Sequence, residues 1–204
     1  MTTPTAAGPS LELLFSRRSA SALAAPGPTR DELDRILLAA GTVPDHGLLR
    51  PFRLVVIEGD GRIAFGQALA AGAAERKPEL TEANLDGIRA KAMRSPTLIA
   101  LVASPRPGKI ETWEQHATAA CAGYAITLAA YALGVGAMWK SVPFTRGQAL
   151  VELLGLAETE EMLGWIHLGH PVKDAIPAPR APLDLAAVAT IIDGTGRRAY
   201  RAKA

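Results

Sequence analysis

The chain has 204 residues, 49% of them hydrophobic, with Lys+Arg 22 against Asp+Glu 20 and a formal net charge of +2. That length and apolar content suffice for the core of one domain and exclude a largely disordered chain; balanced charge and only 5% aromatic residues argue against a nucleic-acid partner. The one cysteine, Cys121, can close no internal disulfide and lacks the spacing of a zinc site, so it is expected as a small buried core residue.

Residues 1–9 read as a flexible arm without the charged and apolar regions of a secretory leader, which favours a cytoplasmic chain. Ser10 can cap a short helix carrying Leu11, Leu14 and Phe15, which ends near Arg17 and Arg18. Thr29 and Glu32 form a capping box for a second helix, with Leu33, Ile36, Leu37 and Ala40 at helical spacing. The segment 44–51 is a turn, and the apolar run 53–57, closed by Gly59, is a buried strand.

Helical patterns fill 62–74 and 82–93 on either side of Pro78, and 97–103 is a second strand. A long helix over 111–133 stops at Gly134, and 135–139 gives a third strand. No charged residue occurs from Ala117 to Trp139. Its Ala, Gly and Thr content reads as a helix buried in a core or subunit interface rather than a membrane span. Thr145 and Gln148 form a second capping box for a helix to Leu154, and 162–168 is a fourth strand. Pro171, Pro177, Pro179 and Pro182 then force an extended course, followed by a helix over 185–192 and a basic tail with Arg197, Arg198, Arg201 and Lys203.

Candidate ligand groups are scattered. Arg17, Arg18 and Ser19 offer a fork of donors suited to a phosphate, or else complement the helix dipole in solvent. His46, after Asp45, either faces a ligand from a turn or is merely exposed. Lys140 and Ser141 end a strand, where ligands are often met, or are solvated; Arg180 has similar status. His167 and His170 lack the spacing and companions of a metal site, so no metal is expected. No nucleophile elbow, Walker loop or complete dinucleotide fingerprint occurs.

Taken in order, Arg17-Arg-Ser-Ala-Ser21, Ala39-Ala-Gly-Thr-Val-Pro-Asp-His46, Arg50-Pro-Phe52, Trp113-Glu-Gln115, Gly134-Val-Gly-Ala-Met-Trp-Lys-Ser141 and Leu168-Gly-His-Pro171 resemble the nitroreductase family, in its YdjA-like subgroup. The resemblance implies an α+β fold with a central mixed sheet flanked by helices, and an intertwined homodimer with FMN at the interface. NADH or NADPH would be the co-substrate, and a nitroaromatic, quinone or similar small molecule the electron acceptor. No membrane partner is implied. It implies a domain over 10–170 and a proline-rich tail over 171–204 that wraps the partner subunit.

By the same likeness Arg17, Arg18 and Ser19 hold the FMN phosphate and ribityl chain, with Arg180, or else Lys173, also at the phosphate. Thr42 and His46 would approach the flavin from the other subunit, and Lys140, Ser141 and Val142 would lie along its ring and tail. Ala130, Tyr131, Ala132, Leu133, Gly134 and Val135 would lie near the nicotinamide dinucleotide. FMN would carry the chemistry, with no catalytic side chain. The chain departs from the wider family, which has Asn-x-Gln-Pro-Trp where Leu48-Leu-Arg-Pro-Phe52 stands, so an amide contact to the flavin is missing and His46 and Arg50 are its candidate replacements. The alternative is a flavin-binding or flavin-sensing dimer with weak reductase activity.

Overall fold

A computed structural model describes residues 9–172, 180–194 and 196–201. The expected arm lies outside these residues except for Pro9, which opens helix α1 (Pro9–Ser16); Lys173, Pro177, Pro179 and Lys203 also lie outside. The chain continues through β1 (Leu23–Ala24), α2 (Arg30–Ala39), β2 (Phe52–Glu58), α3 (Gly61–Arg76), α4 (Glu82–Arg89), β3 (Thr97–Ala103), α5 (Thr112–Ala132), β4 (Gly136–Lys140), α6 (Gln148–Leu154) and β5 (Glu161–Pro171).

The sheet is built on β5. Along one edge it pairs with β3, which pairs in turn with β2; along the other it takes β4 near its middle and β1 at its end. Every described ladder is antiparallel. All seven residues of β3 are buried, because helices cover both faces of the sheet. On one face Leu98, Ala100, Val102 and Trp165 pack against Phe65 and Leu69 of α3 and Leu150 and Leu154 of α6. On the other, Ile99, Ile166 and Leu168 meet Leu33 and Ile36 of α2 and Ala122, Ile126 and Ala130 of α5. Trp165 stands edge-on to Phe65 at 5.6 Å, and burying such a side chain contributes roughly 2–3 kcal/mol.

Thr29 accepts from the Glu32 amide and Glu32 answers to the Thr29 amide, completing the expected capping box of α2. The box expected at Thr145 does not form. Gly147 caps α6, and the amide of Gln148 donates to the Glu75 carboxylate of α3, so a tertiary contact replaces the local one. The helix expected over 185–192 is also shorter. It ends as α7 (Leu185–Val188), and the β-branched run Thr190-Ile-Ile192 enters a hairpin of β6 (Thr190–Asp193) and β7 (Gly196–Ala199).

Helix α5 is buried on one face only. Trp113, Ala117, Cys121 and Tyr124, spaced at helical intervals, are exposed on the other. Cys121 is thus on the surface and not in the core, contrary to the composition-based expectation.

Candidate functional site

A trough runs over the paired ends of β4 and β5. In β4, alternate residues face opposite sides: the Trp139 ring packs where Gly123 of α5 lacks a side chain, while Met138 and Lys140 line the trough. Gly164 of β5, at φ 135°, lets the Lys140 carbonyl come within a distance that any Cβ would block. One wall is residues 20–23, tied to β4 by the Ala20 amide donating to the Ala137 carbonyl at 3.0 Å. Gly136 makes room there, since a Cβ would collide with Leu23. The other wall is the 3-10 turn Ala90–Met93 with Arg94.

The trough holds two adjoining cavities. One of about 240 Å3 is lined by Lys91, Arg94, Lys140, Ser141, Trp165 and His167, and one of about 220 Å3 by Ala20, Ser21, Leu23, Arg94, Met138, Lys140 and His167. Among the described residues, Lys91, Arg94 and Lys140 make no ion pair with a carboxylate.

The floor is a closed polar network. The indole N–H of Trp165 donates to His167 Nε2 at 2.8 Å; an indole can only donate, so Nε2 carries the lone pair and the proton sits on Nδ1. Nδ1 then donates to Ser95 Oγ at 2.8 Å, and Ser95 donates onward to the Thr97 carbonyl at 3.1 Å. Burial pushes the His167 imidazole down to about 4, and the charges of Lys140 and Arg94 act in the same direction. His167 therefore stays neutral and gives its proton toward Ser95, so the pair is no serine–base nucleophile.

The expected site residues fall into four groups, with Lys173 outside the described residues. Arg17 and Arg180 meet: an Arg180 Nη2 donates to the Arg17 carbonyl at 3.2 Å, and the Arg17 guanidinium lies 5.9 Å from the centre of the Tyr124 ring. Arg18 and Ser19 follow directly on the chain, leading into the wall at Ala20. Lys140 and Ser141 line the trough, while Val142 packs against the core beside it.

Thr42 and His46 do not line it. Thr42 donates to the Ala39 carbonyl, and His46 is exposed on a loop where its Nδ1 lies 3.0 Å from Glu114. Asp45 holds that loop by accepting from the amides of Leu49 and Arg50, while Leu48 and Arg50 take left-handed φ values of 53° and 46°. Of the segment expected near a dinucleotide, Ala130 and Val135 are buried in the core, Tyr131 and Leu133 are half-buried, and Ala132 and Gly134 are exposed.

Lys91, Arg94 and the Trp165–His167–Ser95 floor were not expected from sequence. The only local signal was two cations just ahead of a strand, at Lys91 and Arg94. Nothing in the spacing joins them to Lys140; β3, β5 and β4 do.

No described helix is long and apolar enough to cross a membrane. A family model described as the nitroreductase family matches residues 14–170. The chain is 37% identical over 173 residues, 84% of its length and 93% of the relative, to the Escherichia coli K12 protein YdjA, named as an NAD(P)H nitroreductase. Among solved structures, a nitroreductase-like family protein from Bacillus cereus matches with TM-score 0.76 and 23% identity, covering 95% of this chain and 100% of that one. A nitroreductase with bound FMN from Bacteroides fragilis matches with TM-score 0.69 and 20% identity, covering 90% and 98%.

Proposed function

This chain belongs to the nitroreductase family, and from that premise we propose that it is an FMN-dependent oxidoreductase using NADH or NADPH. The observation that carries the reading is the meeting of Arg17 and Arg180 at the end of α1, on the segment that runs on to Ala20 in a trough lined by three further cations. Neither arginine pairs with a carboxylate among the described residues, so a phosphate is the charge this corner lacks. The donor set fits FMN. When bound, FMN takes a hydride from the reduced dinucleotide and passes electrons to a nitroaromatic, quinone or similar acceptor.

The chain's own residues bind and orient. Arg17, Arg18, Ser19 and Arg180 would hold the phosphate and ribityl chain, and Lys140, Ser141 and Val142 the ring. Neutral His167 keeps the floor fixed without adding a charge.

We assign the functional unit to a homodimer. The exposed stripe of Trp113, Cys121 and Tyr124 on α5 supports this, as do Leu11, Leu14 and Phe15 on α1 and the unpaired edge of β2. In the dimer Thr42 and His46 would reach the partner's trough, and the exposed Leu183, Val188 and Ile192 of the tail would cover partner surface. A cytoplasmic setting accords with a reduced dinucleotide as donor.

The test is oxidation of NADH and NADPH by the purified protein with and without a nitroaromatic, under anaerobic conditions. Acceptor-dependent oxidation is expected. The strained Leu48–Arg50 loop, standing where the family has its amide contact, favours one alternative: a flavin-binding dimer with weak turnover. Retained flavin with no acceptor-dependent oxidation would select that alternative.

A further inference from the structure

The trough carries more positive charge than a bound flavin neutralises. On the reading above, the FMN phosphate is met by Arg17 and Arg180 at the end of α1, and the single negative charge that the ring carries once reduced falls to Lys140 along it. Lys91 and Arg94 line one cavity with Lys140 and Ser141, and Arg94 also lines the adjoining one with Ala20, Ser21 and Leu23. His167 below them is uncharged, with both ring nitrogens engaged, and Trp165 beside it is fully buried, so the floor adds no charge of its own. Arg62, in contact with the floor network, spends its guanidinium on the Ser95 and Gly59 carbonyls and brings no carboxylate. Like charges gathered without counter-ions bind an oxyanion from solvent better than any neutral group of the same shape.

We propose that Lys91 and Arg94 form an anion subsite that selects electron acceptors bearing a carboxylate or similar oxyanion. This rests on the reductase reading. In the reaction so directed, a nitro group becomes a nitroso group and releases its oxygen as water. NAD(P)H supplies the electron pair and one proton, and solvent supplies the second proton.

The experiment compares para-nitrobenzoate with para-nitrobenzamide, alike in ring and size but not in charge, on the flavin-loaded protein and on Arg94→Gln, Lys91→Gln and Arg94→Lys. The wild type favours the benzoate in kcat/KM, and each Gln variant lowers that preference about tenfold, the factor for one charge-assisted contact at a half-exposed site. Arg94→Lys retains most of it, and rising salt erodes it. Calorimetry with unreactive benzoate gives a readout free of turnover: the wild type binds it and the Gln variants bind it about tenfold more weakly.

Equal kcat/KM for the two acceptors, or a preference untouched by both Gln variants, overturns the subsite. A raised KM for NADH or NADPH with the acceptor preference unchanged also overturns it, and assigns the anion to the dinucleotide's phosphates. If neither acceptor is reduced, the reductase reading fails, and benzoate binding alone decides whether the subsite stands.

Discussion

Two corners of the sheet use the same guanidinium chemistry to opposite ends. Where β2 meets the entry to β5, Arg53 grips Glu160 through two hydrogen bonds of 2.7 and 2.8 Å, and Arg53 also donates to the carbonyls of Leu154 and Gly155. The Ala157 amide donates to the same carboxylate, and Arg146 donates to the Glu160 carbonyl. The Arg53 and Glu160 charges answer each other within the chain. At the trough, Arg94, Lys91 and Lys140 meet no carboxylate among the described residues, nor does Arg17 at the end of α1. A paired, half-buried arginine is fastening; unpaired cations converging on a cavity wait for an anion from outside.

The sharpest way to break this contrast is to remove charge from each corner. Arg17→Ala with Arg18→Ala deletes two charge-assisted contacts of about 1.5–3 kcal/mol each, so FMN affinity falls by two orders of magnitude or more while the melting temperature of flavin-free protein stays near wild type. Equilibrium dialysis with FMN measures it. Glu160→Gln does the reverse. It leaves the Arg53 charge half-buried without its partner and costs about 3 kcal/mol in urea denaturation, solvent screening taking it to the low end for a broken pair, with FMN affinity unaltered.

Acid separates the corners by pH. His167 is held neutral to about 4 when folded but protonates near 6.5 when unfolded, so its share of stability is full above 6.5 and is lost as pH falls from 6.5 to 4. The Arg53 hydrogen bonds hold the Glu160 carboxyl down to about 2 against 4.5 when unfolded, so its share is full above 4.5 and is lost between 4.5 and 2. The first loss amounts to roughly 3 kcal/mol at most. Urea denaturation from pH 8 to 3 is expected to show both; His167→Gln removes the upper limb, and Glu160→Gln the lower one. The smallest effect is at the α6 cap, where Glu75→Gln weakens the bond to the Gln148 amide and costs about 0.5–1 kcal/mol, read as a small drop in melting temperature.

The same contrast marks what sequence can and cannot reveal. Local rules found the Thr29–Glu32 cap, the strands and the long helix, because spacing along the chain carries those signals. They missed the true cap of α6 and the hairpin after α7. Glu75 reaches Gln148 only after α3 and α6 pack, and Thr190, Ile191 and Ile192 are drawn into a ladder with β7. Cys121 was misplaced because an Ala-rich helix shows no polar face to tell inside from outside; its outer stripe is apolar too. The family-like pattern singled out Lys140 and Ser141, which line the trough, and Arg17 and Arg180, which meet at the end of α1. Lys91, Arg94 and His167 were not, because residues far apart in sequence converge only through the β3–β5–β4 pairing.

The central claim is that the unanswered charge of Arg17 and Arg180 at the end of α1 is matched by the FMN phosphate. The visible absorption spectrum of the protein after gel filtration tests it most directly. The expected result is a yellow protein with flavin bands near one FMN per chain, lost from the Arg17→Ala, Arg18→Ala variant. A colourless wild type that releases added FMN on a second gel-filtration pass would contradict the account.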